Sequence, residues 1–149
     1  MNTLSGIQSA VLDLLRSPSC ARLAEAGFEC LAENKGDIAA AVDAAVARVG
    51  ACAMVATPSF KSESEASRSI VGTADVIVQV FETPAANRSR AGFLTALDAA
   101  ELVAGALNLA QAGAWGTLVF RSVDSAAVND STILYNVRFT VKTAISTQE

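Results

Sequence analysis

The sequence predicts an α+β fold in which a mainly antiparallel sheet of four to five strands is packed by about three helices. Three observations carry this prediction. In the run Asp75-Val76-Ile77-Val78-Gln79-Val80-Phe81-Glu82, Val76, Val78 and Val80 share one face while Asp75, Ile77, Gln79 and Phe81 share the other, the period-two pattern of a strand apolar enough on both faces to be central. Near the C-terminus Ile133, Tyr135, Val137, Phe139 and Val141 alternate with Asn136, Arg138, Thr140 and Lys142, the inside-outside pattern of an antiparallel strand. Between them, Leu97, Leu102, Val103, Ala104, Leu107 and Leu109 surround a thin polar stripe of Asp98, Glu101, Gly105 and Asn108, which predicts a helix lying across the sheet with a narrow edge in water.

The remaining elements follow in chain order. Leu4, Ile7, Val11, Leu14 and Leu15 recur at helical spacing over 3–16, and Pro18 stops that helix because proline cannot continue it. The next segment is mixed: Arg22-Leu23-Ala24-Glu25 has helical character, whereas Phe28-Glu29-Cys30-Leu31-Ala32-Glu33 alternates, and a short edge strand is expected. Asn34-Lys35-Gly36 reads as a turn and Asp37 as the N-cap of a second helix, with Ile38, Val42, Val46 and Val49 on its apolar stripe and Gly50 closing it. Residues 51–57 are short, apolar and stopped by Pro58, as a strand would be. The serine- and charge-rich stretch after it is expected to be a solvated, mobile arm, about 59–72, between two strands able to pair antiparallel. Thr95 with Asp98 forms a variant capping box and Gly113 offers a left-handed stop, so the central helix is expected over 95–112. A strand over 116–123, a polar loop over 124–131, the last strand and a fraying tail over 146–149 complete the chain.

Composition bounds the function. The 149 residues, 52% of them hydrophobic, fit one domain spanning 1–149, and aromatics at 5% supply few large anchors for a deep ligand pocket. A net charge of −4 argues against gripping nucleic acid by neutralising its phosphates. The apolar runs contain Asp43, Arg48, Asp98 or Glu101, so no membrane span is expected, nor a secretory signal behind Met1-Asn2-Thr3-Leu4. Cys20, Cys30 and Cys52 lack metal-ligand spacing and are expected to be buried thiols. The absence of histidine removes imidazole-dependent triads and histidine-containing zinc sites, and neither glycine-rich phosphate-binding motif is present. The carboxylate pairs Glu63/Glu65 and Asp98/Glu101 fall on a loop and on a wet helix stripe, unshielded for acid–base work. No catalytic residue, cofactor or metal is therefore expected.

Two charged groups remain. Arg88 and Arg90, beside Asn87, form either a solvated turn or a contact loop in which a guanidinium meets a carboxylate of a neighbouring subunit. Arg121, Arg138 and Lys142 make one sheet face hydrophilic, open to water, to another subunit or to passing DNA.

The order Val55-Ala56-Thr57-Pro58, a serine-rich loop, Val78-Gln79-Val80-Phe81-Glu82-Thr83-Pro84-Ala85-Ala86-Asn87-Arg88, then Thr95-Ala96-Leu97-Asp98-Ala99-Ala100-Glu101 and Tyr135-Asn136-Val137-Arg138-Phe139-Thr140-Val141 resembles the small tail-terminator or tail-completion proteins of tailed bacteriophages. The resemblance runs from Ala51 onward, about two thirds of the chain, and its most specific part is the Glu82 to Arg88 segment with the helix after it. It implies a tail-terminator-like, non-enzymatic virion protein of the tail or neck, assembled in the host cytoplasm. Such a protein is a homo-oligomer, usually a hexameric ring, that stops tail-tube polymerisation and joins tail to head. Its partners would be the tail-tube protein and head–tail connector proteins, with DNA passing through the ring without sequence-specific binding and no membrane involved. A ring requires a heterologous interface, for which the candidates are the loop carrying Glu82, Asn87, Arg88 and Arg90 and the arm carrying Phe60 and Lys61. The rival readings are another neck or connector component, a small-molecule-binding regulatory α+β module and an enzyme using only carboxylates and water.

Overall fold

The computed structural model describes residues 2–33, 38–63, 70–129 and 131–145. Its spine is an antiparallel pair, β4 (Ile70–Glu82) and β6 (Thr132–Ile145), matched along the whole of β4, from Ile70 opposite Ile145 to Glu82 opposite Ile133. On one side of this spine β5 (Leu118–Asn129) pairs with β6, and on the other β2 (Ala51–Val55) and β3 (Ser59–Ser62) pair with successive halves of β4. The short β1 (Glu29–Ala32) lies outside β2, giving the order β1-β2-β4-β6-β5 with β3 beside β4.

The sheet thus differs from the expected one. Among the described residues it has six strands and is mixed, because β1 runs parallel to β2. The cause is the connection: helix α3 (Ile38–Val49) joins them, and a strand–helix–strand crossover returns the second strand in the direction of the first. The sixth strand is β3, in the stretch 59–72 expected to be a solvated, mobile arm, whose last residues, 70–72, are also strand as the start of β4. It sits exposed at an edge of β4, where no apolar pattern is demanded of it, and Pro58, lacking an N–H, separates it from β2. Residues 64–69, the turn 34–36 with the Asp37 cap, and the tail 146–149 lie outside the described residues. The helices are also more numerous, five α-helices among the described residues: α1 (Thr3–Leu15), α2 (Ala21–Glu25), α3, α4 (Pro84–Asn87) and α5 (Ala96–Leu107), with a 3-10 turn at Pro18–Cys20.

Two further boundaries moved. Helix α5 stops at Leu107, short of Ala112, because the next residues leave the helix to pair with the start of β5: Leu109 N–H donates to Leu118 C=O and Leu118 N–H to Ala110 C=O. Gly113 therefore serves not a helix end but a tight hairpin, closed by Ala112 N–H to Gly116 C=O. The expected loop over 124–131 is instead mostly strand, since β5 continues to Asn129 as a polar edge with register shifts between Phe120 and Ser122 and between Ala127 and Asn129.

The core lies on one face of the sheet. Val76, Val78 and Val80 of β4 and Val137, Phe139 and Val141 of β6 are completely buried there, each contributing about 1.5–3 kcal/mol through apolar burial. Phe120 meets Phe139 edge to face at 6.0 Å. Helix α1 seals this layer with Ile7, Val11 and Leu15, and α5 with Ala96, Ala99, Ala100, Val103 and Leu107. Alanine's small side chain lets α5 approach the strands closely, and its dry side is narrower than expected: Leu97 is exposed, and so is Leu109, which lies beyond the helix end. On the opposite face α3 packs on β1 and β2, and Cys52 and Met54 of β2 are buried. Among the described residues no helix covers the polar face of β4, β6 and β5. All three thiols are free and buried, and burial pushes those of Cys30 and Cys52 up to about 11 and about 12. No helix among the described residues is long and apolar enough to cross a membrane.

Candidate interaction surfaces

The period-two geometry of β4 has a consequence at its end. From Gly72 on, even-numbered residues point into the core, so Glu82 lands beside Val80 with no exposure at all. A lone buried carboxylate would be costly, and four hydrogen bonds from three residues compensate it. Arg88 donates from Nε to Oε2 at 2.9 Å and from Nη2 to Oε1 at 3.2 Å; Asn87 Nδ2 donates to Oε2 at 2.7 Å; and the Ala96 N–H donates to Oε1 at 2.9 Å. The last contact satisfies an orphan donor of the first turn of α5 and sets a negative charge against the positive end of the helix dipole. Thr95 Oγ1 caps the same turn by accepting from Asp98 N–H at 3.1 Å. Burial pushes the Glu82 carboxyl up, but the hydrogen bonds from Arg88, Ala96 and Asn87 and the charge of Arg88 outweigh it, so its pKa falls below the ordinary 4.5. The same hydrogen bond raises that of Arg88.

Asn87 extends the network. Fully buried at the end of α4, it also donates from Nδ2 to Leu94 C=O at 2.7 Å, and its Oδ1 accepts from Arg90 Nη2 at 2.8 Å. Arg90 in turn lies over Gly27, whose φ of +89° and lack of a side chain leave room for the guanidinium. Gly50, at φ +79°, closes α3 against α4: its C=O accepts from Thr83 N–H, and a Cβ there would stand 2.5 Å from the Asn87 backbone nitrogen.

The structure therefore brings Glu82, Asn87, Arg88 and Arg90 together, with the polar groups turned inward to staple the loop between β4 and α5. Arg88 keeps 45% of its side chain exposed. Phe60 and Lys61 are not part of this cluster. Phe60 pairs opposite Ala74, eight residues or about 26 Å along β4 from Glu82; it packs partly against the core while Lys61 is exposed.

The open sheet face is the second surface. Arg138 pairs with Asp75 at 2.8 Å and Gln79 with Asn136 at 3.1 Å, both near water, where such contacts add little stability. Beside them a shallow cleft of about 350 Å³ is lined by Gly116, Thr117, Val119, Arg121, Thr140 and Lys142. Arg121 Nε donates to Thr140 Oγ1 at 2.7 Å. The sequence shows the three cations but not this cleft, which forms where Gly116 and Thr117 of the 111–117 hairpin and Arg121 at the bulge meet Thr140 and Lys142 of β6; the close spacing of Gly113 and Gly116 is the signal for that hairpin. Two cations and two hydroxyls equip it to hold an anionic group. Among the described residues no cluster of three or more His, Cys, Asp or Glu is placed to hold a metal ion.

No family model matches the chain, and no curated protein matches it. Among solved structures, a chain from the virion of a native gene transfer agent particle has a similar fold. It is 21% identical, the alignment covers 95% of this chain and 97% of that one, and the TM-score is 0.61. At that identity the likeness is one of fold, running nearly end to end.

Proposed function

We propose that this chain is a structural, non-enzymatic component of a phage-like virion. It assembles as a ring, a hexamer by the family resemblance, at the head-proximal end of a tail, stops polymerisation of the tail tube and joins tail to head. The observation that carries the virion reading is the near-complete fold match, in both directions, to a chain of a gene transfer agent virion; the ring and the terminator role come from the family resemblance. The two surfaces agree with it: the buried staple holds a loop in fixed shape, and the uncovered sheet face is available for contact.

On this reading the partners are further copies of the chain, the tail-tube protein and head–tail connector proteins. Duplex DNA passes through the ring without sequence-specific contact, which suits a chain of net charge −4. Phe60, Lys61 and the outer sides of Arg88 and Arg90 are contact candidates, while Glu82 and Asn87 serve the interface by fixing the loop that carries the arginines. The protein resides in the tail or neck of the virion after assembly in the host cytoplasm. Electron micrographs of particles produced without it are the test: over-long tails without heads are expected. Tails of normal length that fail to join heads would reassign the chain to a neighbouring connector, and normal particles would overturn the reading.

A further inference from the structure

We infer that the open face of β4, β6 and β5 receives the outward side of α5 from a second copy, with the Arg121 and Lys142 cleft holding that copy's Asp98 and Glu101. The inference rests on the ring reading and names the two patches that meet. The first observation is charge. Arg48, Arg88 and Arg138 each have a carboxylate partner, whereas among the described residues Arg121 and Lys142 have none. Asp98 and Glu101 are likewise exposed and in no ion pair among the described residues, Asp98 having only a longer-range interaction with Arg88.

The second observation is placement. Helix α5 packs on β4, β5 and β6 from the core side, so its wet side and the open face of those strands are opposite surfaces of one protomer. Patches related in this way give a head-to-tail contact that repeats, as a ring demands. The spacings agree: Asp98 and Glu101 stand one helical turn apart, about 5–6 Å between Cβ atoms, and Thr140, which holds Arg121, is about 7 Å along the strand from Lys142.

The third observation is Gly105, on the same side of α5. A mid-helix glycine weakens a helix relative to alanine, and a Cβ there would meet nothing within 4 Å. The protomer's own packing gives it no purpose; close approach of another backbone does. A duplex is the less suitable occupant, because Asp75 and Asp124 lie among the cations of the open face, and gripping phosphates requires many uncompensated cations.

The test is light scattering of the full chain across concentration and salt. Arg121→Glu with Lys142→Glu, and separately Asp98→Lys with Glu101→Lys, are each expected to weaken association at least about tenfold while the melting temperature holds; the fourfold variant is expected to regain most of it. Gly105→Ala is expected to raise the melting temperature by a few degrees yet weaken association. Reversals that leave association unchanged, a fourfold variant as weak as either pair, or loss of duplex binding in place of association would overturn the inference. In those cases a wild-type chain that still assembles leaves the ring reading standing; a wild-type chain that stays monomeric both alone and on tail tubes removes the ring reading itself.

Discussion

At the scale of single residues, the molecule turns on Glu82. Its position was legible in the sequence, since the parity that sends Val76, Val78 and Val80 into the core sends Glu82 there too. The string Glu82, Asn87 and Arg88 is a candidate contact that the structure ties internally, because a buried charge must be matched before it can serve anything outside. Glu82→Gln keeps the shape and removes the charge, and should cost about 2–3 kcal/mol near neutral pH. The sign of the pH dependence follows from the lowered folded pKa: the contribution is fully present above the ordinary 4.5 and is lost as the pH falls through the folded value. Urea unfolding of wild type and variant from pH 7 to pH 3 should show the stability gap closing on the acid side. A gap independent of pH would mean that the charge of Glu82 does not stabilise the fold.

At the scale of elements, strong apolar periodicity makes an element legible in the sequence, and its absence hides one. Helix α1 and the strands β4 and β6 announce themselves through burial on one face. Strand β3 and the distal half of β5 lie at edges, where backbone pairing needs no apolar alternation, so they look like loops. The parallel β1–β2 pair was implied by the helix between them, and the end of α5 was set by pairing across to β5, which no local signal encodes. The junction of α3 with α4 makes a further prediction. Gly50→Ala places a Cβ against backbone that cannot yield, at a φ that alanine adopts poorly. The melting temperature should fall by roughly 5–10 °C; an unchanged value would show that the α3–α4 contact relaxes without cost.

At the scale of the whole molecule, one sheet face is sealed by helices and the other is half bare. The polar character of the bare face was legible from Arg121, Arg138 and Lys142, but its cleft was not, because it depends on a hairpin and a bulge meeting in space. The fold is similar, nearly end to end, to that of a chain from a gene transfer agent virion, and on the function proposed above the bare face and the stapled loop are its contact surfaces. The most direct measurement is a cryo-electron density map of the intact particle into which this fold is fitted. The account predicts several copies arranged as a closed ring on the tail axis, between the tube and the head, with the outward side of α5 against the open sheet face of the next copy. A particle that lacks the chain, or carries it as isolated monomers away from that axis, would contradict it.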